Sequence, residues 1–469
     1  MSREQKLAKN TVLLAIGTFI PKLSVFITLP VLTACLTKEQ YGAYDLVSIL
    51  VSFLLPVTTL QIHTAAFRFL IEAGHDKEKA KLYLSNILAF VITVSISTLV
   101  ILFFFLPVRD LRIKVWICIF LFFDTIVEEI GQVARGLSRN LDYSISAIIS
   151  ACLKLILTVS LVYFLKYELF GAIVALAVSP VISLVYLVFR IRVYELVDFR
   201  LISWPVLKKM LAYSWPMVPN NLSGWVMRVS DRVVVTAFMG LSANAVYSVA
   251  NKVPHLLSLA QSTFSMAWQE NASIVSRDED AENYYSKMLL VMTNFYAGCL
   301  GIIIACTPIL FKILIRGDYA EAYLQMPILF FAMFFSCMAN FLGGIYIACK
   351  ATKSVGITTV IAAVCNIVVD LALIKKIGLF AASGSTLVSY LVLFTYRMID
   401  VRKLVAISFD IRRFFIAIAV IVLECTLCFF QNPILDILNL AVALTAAYLL
   451  NKRIVKMCMN RILLHGRIS

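Results

Sequence analysis

Apolar residues in this chain run in blocks of about 20, bounded by charges or by Gly/Pro clusters. That is the length a helix needs to cross the roughly 30 Å hydrocarbon layer of a bilayer. Fourteen such blocks fall near 11–36, 42–67, 83–107, 115–134, 143–165, 169–189, 212–238, 244–270, 288–311, 323–349, 354–374, 379–396, 414–431 and 434–450. The pattern predicts an all-α integral membrane protein with about 14 transmembrane helices. An even count puts both termini on one side. The opening MSREQKLAKNTVLLAIG is basic and leads straight into an apolar run, so it reads as a first span rather than a removed leader.

The polar positions are sided. Loops on the side of the termini, with the two tails, hold 27 of the 42 Lys and Arg residues, and the opposite loops hold 9. This bias predicts cytoplasmic termini. It also explains the net charge of +15 as topology, which removes the reason to infer nucleic-acid binding. Hydrophobic residues make up 61% of the chain, well above the roughly 45–50% of soluble domains. No loop exceeds about 22 residues, too short for a folded domain of about 50, so the activity lies within the bilayer. The 11 cysteines are scattered, and Cys425 with Cys428 forms a CxxC inside an apolar run, where packing is the expected role.

Six basic residues remain inside the apolar blocks or, like Arg68, at the edge of one: Lys22, Arg68, Lys154, Arg228, Arg232 and Lys252. Each would cost about 3 kcal/mol against lipid, roughly 18 in all, so they are expected to face a polar interior. A water-filled cavity for an anionic substrate is the simplest such interior. An internal repeat organises them. VLTACLTKEQYGAYDLV at span one and VVTAFMGLSANAVYSVA at span seven align at a constant offset, pairing Thr33, Ala34 and Tyr44 with Thr236, Ala237 and Tyr247. Copies six spans apart start on the same side and are parallel repeats. The expected division is an N-lobe at 1–190, a cytoplasmic amphipathic linker at 191–211, a C-lobe at 212–398, and spans 13–14 with a basic tail at 399–469. All the cations but Lys154 then lie on the first two spans of a lobe.

Arg228, Asp231 and Arg232 are spaced i, i+3, i+4 on one helix. The arginines suit a pyrophosphate or acidic sugar through their planar fork, and the alternative is an Arg228–Asp231 ion pair. Pro216 and Pro219 are expected to break span seven, and Pro21 and Pro30 to bend span one around Lys22. Arg68 lies near the cytoplasmic end of span two, where it either meets substrate or snorkels. Lys252 lies a third of the way into span eight, a depth that favours substrate. Lys154 is expected to pair with Asp124, Glu128 or Glu129 on span four. Asn366 and Asp370, at i and i+4 on span eleven, present two oxygens on one face, and Thr386 on span twelve adds a hydroxyl. A hard-oxygen set suits a small cation. The alternative is a pairing of Asp370 with Lys375 or Lys376. Glu424 on span thirteen has no evident partner in the sequence.

The segments YGAYDLVSIL, AAFRFLIEAG, SWPMVPNNLSGW with SDRVVV, GDYAEAYLQMPILFF and IKKIGLFAASGSTLVSY are collinear over nearly the whole chain. Together they resemble the lipid-linked oligosaccharide flippases of bacterial polysaccharide biosynthesis, within the multidrug/oligosaccharidyl-lipid/polysaccharide exporter superfamily. The resemblance implies two six-helix lobes around a cavity lined by spans one, two, seven and eight, working by alternating access. It implies substrates such as undecaprenyl-pyrophosphate-linked repeat units, O-antigen among them, in the bacterial cytoplasmic (inner) membrane. Lys22, Arg68, Arg228, Arg232 and Lys252 are the substrate-binding candidates. Asp231, Asn366, Asp370 and Thr386 match a sodium site of the lipid II flippase branch, so Na+ or H+ is the implied coupling ion and no other cofactor is expected. Implied partners are the lipid-linked glycan, membrane lipids and other polysaccharide-assembly membrane proteins. Two other functions compete. A cation-coupled multidrug exporter would favour an acidic cavity, whereas the lining spans carry mostly cations. A membrane polymerase or glycosyltransferase would need a catalytic loop, and the loops are short and bear no paired carboxylates, so no enzymatic activity is expected.

Overall fold

The computed structural model describes residues 3–74, 76–276 and 278–465, without the side chains of 3–16, 18, 263, 266, 267 and 453–465. The extreme ends, on which the expectation of cytoplasmic termini bears, lie outside these residues. Among the described residues the chain forms seventeen α-helices and no strand. It divides into two compact units, Met1–Trp225 and Val226–Ser469.

Unit 1 contains α1 (Arg3–Cys35), α2 (Lys38–Thr58), α3 (Ile62–Ala73), α4 (Lys77–Phe105), α5 (Leu111–Gly136), α6 (Asn140–Thr158), α7 (Glu168–Ile191) and α8 (Trp204–Ser214). A π-helical turn, Val159–Phe164, prolongs α6. The helix α9 (Met217–Met239) crosses the division between the units. The sequence reading started the second lobe earlier, at 212. Unit 2 continues with α10 (Leu241–Lys252), α11 (Leu256–Val275), α12 (Ala281–Leu314), α13 (Ala320–Ala348), α14 (Thr352–Ile377), α15 (Leu379–Val401), α16 (Ile411–Phe429) and α17 (Pro433–His465).

Each of the fourteen apolar blocks is helical. Among the described residues nine helices are long and apolar enough to cross a membrane, and the chain is a multi-pass membrane protein. The helix α9 is not among the nine, because Arg228, Asp231 and Arg232 interrupt its apolar run. Spans two and eight, expected as single helices, are each broken in two. In span eight Pro254 lies between Lys252 and Leu256, where it has no N–H to continue the ladder and its ring clashes with the preceding turn. In span two the break falls at Leu60 and Gln61, whose φ values of 48° and 59° are left-handed. Span seven is also entered by a break, but at its start: Trp215 and Pro216 separate α8 from α9, and Pro219 sits in the first turn of α9, where proline is tolerated. The helix α1 continues through Pro21 and Pro30.

Helix ends outside the bilayer follow ordinary capping rules. Thr37 and Gln40 form a reciprocal box at the start of α2. Asp76 caps α4, and the Lys79 amide N–H and ammonium hold its carboxyl below the ordinary carboxylate range. Lipid supplies no hydrophobic drive between helices, so close packing does that work. In unit 1, Ala65 and Ala66 of α3, Ala134 of α5 and Ala175 of α7 are fully buried and let backbones approach. In unit 2, α13 is the central helix, packed by α15, α11 and α10, and Trp268 stacks on Phe341 at 4.3 Å while donating to its carbonyl. The helices α16 and α17 pack on α12. There the buried Glu424 carboxyl packs against Gly301, where an added Cβ would make it shift. Cys425 and Cys428 are buried free thiols in this layer, as a packing role requires.

Candidate cation and substrate site

Along α9 the residues Met227, Ser230, Asp231 and Val235 are buried, a spacing that fixes the inward face of the helix. Arg228 and Arg232 each follow a buried position by one residue, about 100° round the helix. Arg228 is exposed and Arg232 half-buried. The three charges therefore do not act as one face: Asp231 turns into the bundle and Arg228 turns out. The electrostatic partner of Asp231 on its own helix is Arg232, not Arg228.

Around Asp231 the bundle supplies hydroxyls and an amide. The Tyr247 hydroxyl of α10 lies 2.9 Å from Asp231 Oδ2, within reach also of Thr386 Oγ1 at 3.1 Å and of the Ala382 carbonyl at 3.2 Å. Thr386 Oγ1 of α15 hydrogen-bonds the same carboxylate oxygen. Asn366 of α14 acts on Asp231, its Oδ1 accepts from Ser230 Oγ at 2.9 Å and its Nδ2 donates to Ser385 Oγ at 3.5 Å. Asp370, one turn beyond Asn366, is 1% exposed and acts electrostatically on Asp231. The structure thus brings Asp231, Asn366, Asp370 and Thr386 together within unit 2. The alternative partners of Asp370 do not reach it: Lys375 lies over the Phe238 ring and Lys376 is exposed.

Three carboxylate oxygens in this cluster, Asp231 Oδ1 and both oxygens of Asp370, are buried without a hydrogen-bond partner. Two buried carboxylates in mutual range with unused oxygens repel unless a cation or proton joins them. The donor set is carboxylate, amide and hydroxyl oxygen, which fits a small hard cation. Among the described residues no group of three or more His, Cys, Asp or Glu forms a transition-metal site.

The cations of unit 2 gather beside this cluster. Arg232, Lys252 and Arg228 all act electrostatically on His255, at the break between α10 and α11. The His255 Nδ1 lies 2.9 Å from the Asn251 carbonyl. Arg228 also acts on Tyr390 of α15. In unit 1, Lys22 is exposed on α1, and Arg68 is exposed on α3 with Glu72 Oε1 at 2.9 Å. Of the three acids proposed for Lys154, Asp124 is the one it acts upon. Glu129 instead faces His63 at 3.7 Å, and Glu128 accepts from Gln132 at 3.0 Å.

Sequence reasoning missed Tyr247, Ser230 and His255 as site residues. Tyr247 was visible as the partner of Tyr44 in the repeat, and Pro254 flagged the break that presents His255. It also left Arg397 in a loop. This arginine is 4% exposed within α15, where it donates to Thr358, Ala339 and Thr359 at 3.1, 2.7 and 3.0 Å. Those bonds make it a structural cation, in contrast to the exposed Arg228.

Residues 7–270, more than half the chain, match the model of a family described as polysaccharide biosynthesis protein. Among curated proteins, none is matched by this sequence. Solved structures share the fold at low identity. The lipid II flippase MurJ in an inward closed conformation is 15% identical with a TM-score of 0.71, covering 96% of this chain and 100% of that one. An inward-facing multidrug resistance MATE transporter of the MOP superfamily is 13% identical with a TM-score of 0.68, covering 83% and 98%. A MOP superfamily transporter from Pyrococcus furiosus, described as having a binding pocket of reversed polarity, is 13% identical with a TM-score of 0.58, covering 85% and 95%.

Proposed function

We propose that this chain, which belongs to the polysaccharide biosynthesis protein family, flips polyprenyl-pyrophosphate-linked oligosaccharide units from the cytoplasmic to the outer leaflet by alternating access. The observation that carries the proposal is the excess of cations on the helices that hold the buried Asp231 cluster: Arg228, exposed, and Arg232, half-buried, on α9, and Lys252, half-buried, at the end of α10. Exposed or half-buried cations on membrane helices answer an anionic ligand, and a pyrophosphate is matched by the bidentate guanidinium fork. An exporter of cationic drugs has no use for that sign of charge.

Arg232 is the link in this account, because it acts both on Asp231 and at His255. While Asp231 is ionised and uncompensated it competes for Arg232. Once the Asp231 charge is met by a proton or Na+, Arg232 is released to the anionic headgroup. Binding that is equal in two conformations drives no transition. Here the occupancy of Asp231, Asn366, Asp370 and Thr386 supplies the difference. Arg228→Ala and Arg232→Ala should each abolish export of lipid-linked glycan at normal membrane levels, and Arg232→Lys should restore part of it. Normal export by both alanine variants and by Lys22→Ala would remove the substrate reading.

A further inference from the structure

Three turns of unit 1, alternating along the chain, meet around a cavity of about 790 Å³: the α3–α4 turn, the α5–α6 turn and the end of α7. Lys77, Lys81, Arg139, Arg190 and Arg192 line it, against Asp76 and Glu195. By the charge bias along the chain, all three turns belong to the basic, cytoplasmic side. Two of the cations are held in place. Asp142, 6% exposed, accepts from Arg190 Nε at 2.9 Å and faces Arg139 Nη1 at 3.6 Å. Arg139 Nη1 also donates to the Arg190 carbonyl at 3.2 Å. With one buried carboxylate bracing them, the Arg190 side chain stays 61% exposed and that of Arg139 47%.

The depth of the cavity comes from a separate observation. Phe189, Tyr194, Phe199 and Trp204 are exposed on the same stretch of chain that supplies Arg190 and Arg192. Exposed aromatic rings beside a run of cations are the signature of the membrane–water interface. A basic recess at that level, formed between helix ends, is suited to a lipid phosphate.

We propose that this recess binds the headgroup phosphate of an anionic phospholipid of the inner leaflet, which buttresses the three turns of unit 1. The proposal does not rest on the transport reading, and its test involves no transport. Purified protein in a neutral detergent is titrated with phosphatidylglycerol, phosphatidylcholine or inorganic phosphate, followed by native mass spectrometry and by the thermal midpoint. Each cation near an anionic lipid contributes about fivefold in affinity. Phosphatidylglycerol should be retained at least tenfold better than phosphatidylcholine by the wild type, with the preference lost in high salt. The triple variant Lys77→Gln, Lys81→Gln, Arg192→Gln, which spares the braced arginines, should lose that preference. Lys208→Gln with Lys209→Gln, on α8 outside the cavity, should keep it. Equal retention of the two lipids by the wild type would overturn the proposal without reference to any variant. So would unchanged preference in the triple variant, or a midpoint shift by inorganic phosphate as large as that by phosphatidylglycerol.

Discussion

Unit 1 and unit 2 both bury carboxylates among membrane helices, but they answer the charge differently. In unit 1 the half-buried Asp124 feels the charge of Lys154, and the buried Glu129, whose oxygens make no hydrogen bond, lies 3.7 Å from His63. In unit 2, Asp370 faces another carboxylate, and the one cation acting on Asp231 also acts at His255. Built-in compensation makes a structural pair. Compensation left open, between two carboxylates with unused oxygens, is what the proposed coupling cation would meet. The repeat sharpens the contrast, because the register that pairs Tyr44 with Tyr247 puts Thr28 opposite Asp231. Thr28 is buried with its hydroxyl on the carbonyls of Ser24 and Val25, so it needs nothing more.

Four sets of variants test this contrast. The largest expected effect is in unit 1. Lys154→Met leaves the half-buried Asp124 without the cation that acts on it and should cost about 3 kcal/mol, read as a fall of the thermal midpoint by several degrees. Adding Asp124→Asn should return most of it, and failure to do so would break the pairing. Next comes Arg232→Ala in unit 2, which should lower glycan flipping about a hundredfold, or about 2.7 kcal/mol, with little change in midpoint. A stability loss as large as that of Lys154→Met would make Arg232 a structural cation like Arg397. Tyr247→Phe removes one hydroxyl from the Asp231 carboxylate and should cost about 1 kcal/mol, a roughly fivefold shift in the ion concentration giving half-maximal flipping. Lys375→Gln with Lys376→Gln should change that concentration by less than twofold, within about 0.5 kcal/mol, since neither lysine meets Asp370. A larger change would restore the surface pairing.

The helical blocks were legible in the sequence because lipid demands about 20 apolar residues for each crossing. The shared face of Asn366 and Asp370 was legible because i, i+4 spacing fixes it, whereas Thr386, on another helix, joined the set through the family resemblance. What the sequence hid depended on rotation and on neighbours. Spacing alone could not tell that Asp231 turns inward while Arg228 turns outward, since both lie within one turn of the same helix. Leu60 and Gln61 carry no glycine to announce their left-handed conformation, so the break in span two was silent. Arg397 falls one residue past the apolar block at 379–396, although three hydrogen bonds bury it inside α15.

The open carboxylates of unit 2 are proposed to take the coupling cation. The direct measurement is flipping of lipid-linked glycan by reconstituted protein under imposed Na+ or H+ gradients, comparing wild type with Asp231→Asn and Asp370→Asn. The wild type should be accelerated by one of the two gradients, and both variants should flip slowly and without gradient dependence. Wild-type rates with unchanged dependence in both variants would contradict the account and make the cluster a structural one.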